Sequence, residues 1–337
     1  MKLEENFSLK AYNSFGIDIK AAFFGELHSE NDLQQCIADG LFKEKVLILG
    51  GGTNMLFTRD FPGVVLQNNL KGISVVSETG QSVLIRAAGG VIWHSLVEYS
   101  VAKNWGGIEN LSLIPGTVGA APMQNIGAYG VELKDVFYSL EATDILTGEI
   151  KLFNFNDCKF GYRNSIFKNE LKGKYFISGV TLQLNKNPKV NITYGAIKDV
   201  LKLQDITNPG IKEVSDAVIS IRKSKLPDPK ILGNAGSFFK NPEIEISKFE
   251  KLVKVFPNIP SYPAGNGLIK IPAGWLIEQC GWKGKRVGNT GAHKDQALVL
   301  VNYGNATGEE IYALALEIKR SVKDKFDIDI DPEVNII

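Results

Sequence analysis

Three short segments of the chain bring together side chains able to do chemistry. Residues 233–239 (GNAGSFF) set one hydroxyl, Ser237, among small flexible residues and ahead of two aromatics. Residues 160–165 (FGYRNS) pair the Arg163 guanidinium with polar neighbours after an aromatic-rich strand. Residues 331–333 (DPE) place Glu333 near the end of an otherwise apolar tail. A hydroxyl, a guanidinium and a carboxylate are the groups for holding an anion and moving a proton. Taken singly, each segment is equally an ordinary turn or strand edge.

A fourth segment, Gly50-Gly51-Gly52-Thr53-Asn54, follows a short apolar strand over residues 46–49. It lacks the GxGxxG spacing that opens a helix in dinucleotide-binding units, because Met55-Leu56-Phe57 reads as further strand. There is no GxxxxGK[ST] loop either. The turn can form a nest of backbone N–H groups for a phosphate, or be a plain tight turn, and this stretch alone favours the plain turn. Histidines at 28, 94 and 293 and cysteines at 36, 158 and 280 are scattered, so no metal site is expected. His94 reads as a partly exposed helical histidine. No GxSxG elbow supports a serine hydrolase.

The elements that must carry these segments follow from pattern. Ser29 to Asp32 is a capping-box start for a helix that buries Leu33, Cys36 and Ile37. Residues 46–49 and 64–66 are strands. Residues 73–76 and 83–88 form a hairpin around Thr79-Gly80. A helix over 92–103 turns Trp93, Leu96, Val97 and Val101 to one side, and another over 212–223 does so with Val214, Val218 and Ile221. Residues 225–229 (KLPDP) break the chain. Thr307 to Glu310 caps a last helix with the stripe Ile311, Leu314, Ala315, Ile318 and Val322.

Composition adds one oddity. In 337 residues, 44% are apolar and 22% charged, the net charge is +1, and 34 are glycine. That is about one glycine in ten against a usual share of roughly 7%. Six fall within residues 106–130, where Glu109 is the only charge. Such a stretch cannot hold a regular helix and is too apolar for a solvated loop, so something is expected to pack against its backbone. The balanced charge argues against nucleic acid or an acidic membrane as partner. The odd, dispersed cysteines, the lack of an apolar leader and of an 18-residue apolar run point to a cytoplasmic protein.

In this order the segments resemble the UDP-N-acetylenolpyruvoylglucosamine reductases, flavoenzymes that make UDP-N-acetylmuramate for peptidoglycan. The likeness runs from residues 13–17 (NSFGI) through 47–54 (LILGGGTN), 114–117 (IPGT), 124–130 (QNIGAYG), 160–163 (FGYR), 225–229 and 233–239 to 331–334 (DPEV). It implies an α+β fold: an FAD-binding domain of the vanillyl-alcohol-oxidase type in two subdomains, residues 1–70 and 71–224, and a smaller α+β substrate-binding domain, residues 225–337. The C-terminal tail is expected to return to the first subdomain.

The resemblance also implies roles. Non-covalent FAD would lie against Gly50, Gly51, Gly52, Thr53, Asn54, Met55, Leu56, Ile114, Pro115, Gly116, Thr117, Gly119, Asn125 and Gly127, with Arg222 near the flavin. NADPH would reduce FAD, and hydride would then pass to the methylene carbon of the enolpyruvyl ether. Arg163 and Glu333 would hold the carboxylate and the enolate-like intermediate, and Ser237 would protonate it. Tyr129, Tyr162, Tyr194, Lys225, Asn241 and Gln296 would receive the UDP-sugar. A monomer is expected. Only four residues follow Glu333, a tail short enough to fray. A sugar or lactone oxidase of the same superfamily and a non-catalytic nucleotide-sugar binder are the competing readings.

Overall fold

The computed structural model describes residues 2–265 and 267–337. The chain divides into two compact units. One comprises the segment ending at Phe7, with Ala21–Gly51 and Phe61–Ser224; the other comprises Ser8–Lys20, Gly52–Asp60 and Lys225–Ile337. Residues 1–70, read as one subdomain, therefore contribute to both units, and the glycine turn at 50–52 is where the chain leaves the first unit for the second.

In the first unit, strands Glu4–Ser8, Lys20–Leu27, Phe61–Asn68 and Val46–Leu49 form a sheet in that order, the last three parallel. The helix Glu30–Ala38 starts as its sequence dictates. Ser29 Oγ accepts from the Asp32 amide and the Asp32 carboxylate accepts from the Ser29 amide, satisfying two donors that a helix start leaves open. A five-stranded antiparallel sheet follows, in the order Ile150–Asn154, Phe137–Asp144, Tyr175–Asn185, Ser82–Ala88 and Ile73–Glu78. The apolar faces of both sheets and of the helix Trp93–Ala102 share one core containing Leu27, Leu33, Trp93, Leu140, Phe176 and Val180. Helices Gly195–Leu203 and Ile211–Lys225 close a second, smaller core through Ile197, Leu201, Val214 and Val218.

In the second unit, Gly233–Ser237, Val299–Asn302, Thr290–Ala292 and Arg286–Val287 make an antiparallel sheet. Its helix Gly308–Phe326 begins with the capping box read from Thr307 and Glu310, and the whole expected stripe is buried. A three-stranded sheet (Glu243–Glu245, Leu268–Lys270, Tyr262–Gly265) and the aromatic trio Phe256, Trp275 and Phe326 complete the unit. Asn13 organises residues 9–17. Its buried amide donates to the Leu9 and Ile17 carbonyls and accepts from the Ile17 amide. That segment joins the sheet where the Asn234 amide donates to the Ser14 carbonyl and the Asn302 side chain to that of Phe15.

Candidate active site

Residues 106–130 form no regular helix, as glycine and proline require. They fold into two 3-10 turns, Glu109–Leu111 and Val118–Gln124, joined by irregular chain. What presses on this backbone is at first the protein itself, since Gly106 abuts Pro188 and Gly107 abuts Val136. Further on, the segment runs beside residues 89–93. The Trp93, Val118 and Gly119 amides donate to the carbonyls of Gly116, Val91 and Gly89 at 3.0, 2.9 and 2.8 Å. Gly50 stands against Thr117 here, and a Cβ on Gly50 would lie 2.6 Å from Thr117 Oγ1. That hydroxyl is buried and has no hydrogen-bond partner among the described residues. A buried donor with nothing to bond, beside bare glycine backbone, suits a polar group of a dinucleotide. Ile114 packs on the core, while Pro115 is exposed.

Asn125, placed by the resemblance among the flavin contacts, has its side chain committed within the protein. Its amide donates to Glu132 and to the Gly161 carbonyl, both at 3.1 Å, and accepts from the Lys134 amide at 3.0 Å. It thereby fastens the hairpin of Gly127–Ala128 and Val131–Glu132 to residue 161 and brings Arg163 alongside. Arg163 sits at φ +50, its guanidinium donating to the Gly127 carbonyl at 2.7 Å and lying over the Tyr162 ring. Tyr129 and Tyr194 meet edge to face, with ring centres 5.1 Å apart.

Arg222 reaches into the same cluster, donating through Nε to the Leu113 carbonyl at 3.2 Å and hydrogen-bonding the Tyr129 hydroxyl. Burial pushes its pKa down; Tyr129 opposes that shift and the like charge of Arg163 adds to it. Burial likewise raises the Tyr129 phenol, against the pull of Arg222. Among the described residues no carboxylate pairs with Arg222. A guanidinium such as that of Arg222, set deep in the cluster with the like charge of Arg163 nearby, favours an anion beside it. Sequence reasoning missed Asn110, which is fully buried and donates to the Tyr129 and Asn191 carbonyls at 3.0 and 2.9 Å. Its one visible signal was a polar residue beside the lone charge of the glycine-rich stretch.

The second unit gathers a different set. Gly52 has φ +61, and a Cβ there would fall 1.9 Å from the Tyr12 carbonyl, so only glycine fits. Two residues on, Asn54 binds the C-terminal segment. Its amide donates to the Glu333 carbonyl at 3.3 Å, and its own carbonyl accepts from the Asn335 amide and side chain at 3.0 Å. Met55–Leu56 then pairs in parallel with Asn335–Ile336, and the Thr58 amide donates to Ile337. The tail after Glu333 is thus pinned in a ladder rather than frayed.

Ser237 ends the strand Gly233–Ser237 after a bulge, with Gly236 at φ +69. The bulge is held by Asn234, which donates to the Pro227 and Leu232 carbonyls and accepts from the Gly236 amide. The next residues run against the tail, the Glu333 amide donating to the Phe238 carbonyl at 2.8 Å and the Lys240 amide to Asp331 at 2.9 Å. Ser237, Glu333 and Asn54 therefore share one laced patch. Asn241 and Gln296 converge on the start of the helix Ala273–Gln279. Asn241 Oδ1 accepts from the Ala273 amide, and Gln296 Oε1 lies 3.0 Å from where a Cβ on Gly274 would be. Lys225 is exposed, and Gly51 and Thr53 lie at the glycine turn.

Comparison with known proteins places this geometry. Residues 21–153 match an FAD binding domain family, and residues 228–337 match the C-terminal domain of UDP-N-acetylenolpyruvoylglucosamine reductase. Over the full length of both chains, this one is 50% identical to the UDP-N-acetylenolpyruvoylglucosamine reductase of Flavobacterium johnsoniae and 51% identical to that of Amoebophilus asiaticus. The chain belongs to the UDP-N-acetylenolpyruvoylglucosamine reductase family. The crystal structure of such a reductase from Thermus caldophilus superposes with a TM-score of 0.68 at 22% identity, covering 100% of this chain and 99% of that one, so the fold is shared as well. As a member of the UDP-N-acetylenolpyruvoylglucosamine reductase family, the chain is an α+β flavin oxidoreductase that binds FAD and acts in peptidoglycan precursor synthesis. No helix among the described residues is long and apolar enough to cross a membrane.

Proposed function

We propose that NADPH is the reductant and that Arg163, Ser237 and Glu333 handle the enolpyruvyl group of UDP-N-acetylglucosamine enolpyruvate. Bound FAD supplies hydride transfer, from the nicotinamide to the methylene carbon of the substrate. As hydride arrives, negative charge moves toward the substrate carboxylate. A fixed guanidinium such as Arg163 stabilises that charge without reorganising, and Glu333 steadies the intermediate by sharing a hydrogen-bonded proton in the closed complex. Ser237 Oγ gives the proton to the adjacent carbon, a step for which a weak acid is enough because an enolate-like centre is strongly basic.

What supports the reading most is the ladder of residues 238–240 with 331–333, in which the Glu333 amide bonds to the residue following Ser237. It brings the backbones of two of the three residues close together. Tyr129, Tyr162, Tyr194, Lys225, Asn241 and Gln296 receive the UDP-sugar. Residues 50–56, Ile114, Pro115, Gly116, Thr117, Gly119, Gly127 and Arg222 hold FAD, with Asn125 buttressing them. The enzyme works as a cytoplasmic monomer, without nucleic acid or a membrane, which its +1 net charge supports.

The test separates the two half-reactions by stopped flow. In Ser237→Ala, reduction of the flavin by NADPH stays near normal, while reoxidation by the enolpyruvyl nucleotide falls by about 10²–10⁴-fold. Equal rates of reoxidation in both proteins overturn the proton-donor assignment.

A further inference from the structure

We propose that His94 is a positioning residue whose ring nitrogen fixes Leu113 and, through the Leu113 carbonyl, aims Arg222 at bound FAD. This rests on the reading that Ile114 to Thr117 and Arg222 belong to the flavin site. The helix Trp93–Ala102 presents its first two side chains to successive points of the loop above it. Trp93 Nε1 donates to the Leu111 carbonyl at 3.0 Å, and His94 Nδ1 accepts from the Leu113 amide at 3.0 Å.

Leu113 stands at φ +57, a conformation that a leucine does not choose unaided. Its amide is held by His94 and its carbonyl accepts from Arg222 Nε, so the two faces of one strained residue connect the histidine to the half-buried guanidinium. Without the acceptor, Leu113 relaxes to negative φ, its carbonyl swings away, and Arg222 loses the backbone contact that orients it. The ring must keep Nδ1 free of a proton for this, with its proton on Nε2. Nε2 faces the Glu98 carboxylate at 3.7 Å, one turn along the same helix, which favours that tautomer. Half of a histidine's polar capacity is thus spent on one loop amide, which a merely surface-exposed helical residue would not require.

The experiment measures FAD affinity by titrating the apoprotein and following flavin fluorescence, for wild type, His94→Phe, His94→Asn and Arg222→Met. Phenylalanine keeps a ring without an acceptor, whereas asparagine places a carbonyl oxygen near the position of Nδ1. His94→Phe is expected to bind FAD about tenfold more weakly, His94→Asn within about twofold of wild type, and Arg222→Met at least as weakly as His94→Phe. If Arg222→Met weakens binding while His94→Phe does not, the positioning role falls and the flavin reading stands. If neither weakens it, the flavin reading falls with it. Equal losses in His94→Phe and His94→Asn overturn the acceptor role in favour of packing. Hydrogen exchange on the wild-type holoenzyme gives a check that needs no variant, since the Leu113 amide must be protected and rapid exchange there overturns the proposal.

Discussion

Alanine at Gly50 offers a quantitative trial of the cofactor segment. A Cβ there would stand 2.6 Å from Thr117 Oγ1, 3.4 Å from the Ala120 Cβ and 3.8 Å from the Thr117 Cβ. Only the first contact is too close, by about 0.8 Å relative to an ordinary one. The hydroxyl cannot easily yield, because a β-branched side chain is stiff at χ1 and the Thr117 backbone is held by its bridge to Ile92. Overpacking of this kind costs about 1–3 kcal/mol, against which replacing glycine by alanine regains about 0.4–1 kcal/mol from the unfolded chain. Gly50→Ala is therefore expected to lose about 1–2 kcal/mol. Thr117→Ala removes an oxygen that makes no hydrogen bond among the described residues and should stay within about 0.5 kcal/mol of wild type. In the double variant the clash is gone, so urea unfolding of the apoprotein should show the loss largely recovered. FAD affinity should behave otherwise. Thr117→Ala and the double variant should both bind about 5–10-fold more weakly, one hydrogen bond's worth. A double variant no more stable than Gly50→Ala would refute the steric reasoning, and undiminished FAD affinity in Thr117→Ala would remove that hydroxyl from the cofactor site.

Three further outcomes are expected. Asn234→Ala strips the Ser237 bulge of three hydrogen bonds around a buried side chain, so urea titration should show a loss of about 3 kcal/mol; a loss below about 1 kcal/mol would mean the bulge holds itself. Burial pushes the Cys158 thiol up to about 12 and also raises Cys36, so at pH 8 a disulfide reagent should titrate at most Cys280 in the native protein and all three thiols after denaturation. Hydrogen bonds from Lys248, then Lys323, hold Asp327 down to about 2. A lowered carboxyl contributes stability that is present above its unfolded value near 4 and is lost as pH falls toward 2. Asp327→Asn should flatten the acid limb of the unfolding curve over that window, as should high salt, because the carboxylate is exposed.

The fold was legible wherever local chemistry decides local structure. The capping boxes at Ser29 and Thr307 start helices where two reciprocal bonds can be read three residues apart, and the stripe from Ile311 to Val322 is buried whole. The hairpin over residues 73–88 likewise needs only its own turn and alternation. The division into units was not legible, since residues 8–20 and 52–60 lie in one compact unit with residues 225–337. That membership is settled by bonds such as Asn302 to Phe15, made across 287 positions of chain. In the candidate site the side chains with distinctive chemistry, Arg163, Ser237 and Glu333, could be named through the family likeness. The long-range bonds of the asparagines around them could not. Asn110 bonds Asn191 across 81 positions and Asn335 bonds Asn54 across 281, whereas in sequence an asparagine signals only a turn.

The glycine excess shows the same limit from the other side. A composition rich in glycine says that backbone comes close to something, and the structure separates two kinds of neighbour. At Gly52 it is the Tyr12 carbonyl, and at Gly106 and Gly107 it is Pro188 and Val136; these glycines are demanded by the fold and would be so with or without a cofactor. At Gly50 the neighbour is a single side-chain oxygen that is itself without a hydrogen-bond partner among the described residues. A glycine kept only for packing would face atoms whose own bonds are made. One facing an unspent hydroxyl leaves a donor open to a group from outside the chain, which supports the proposal that Gly50 and Thr117 are among the FAD contacts.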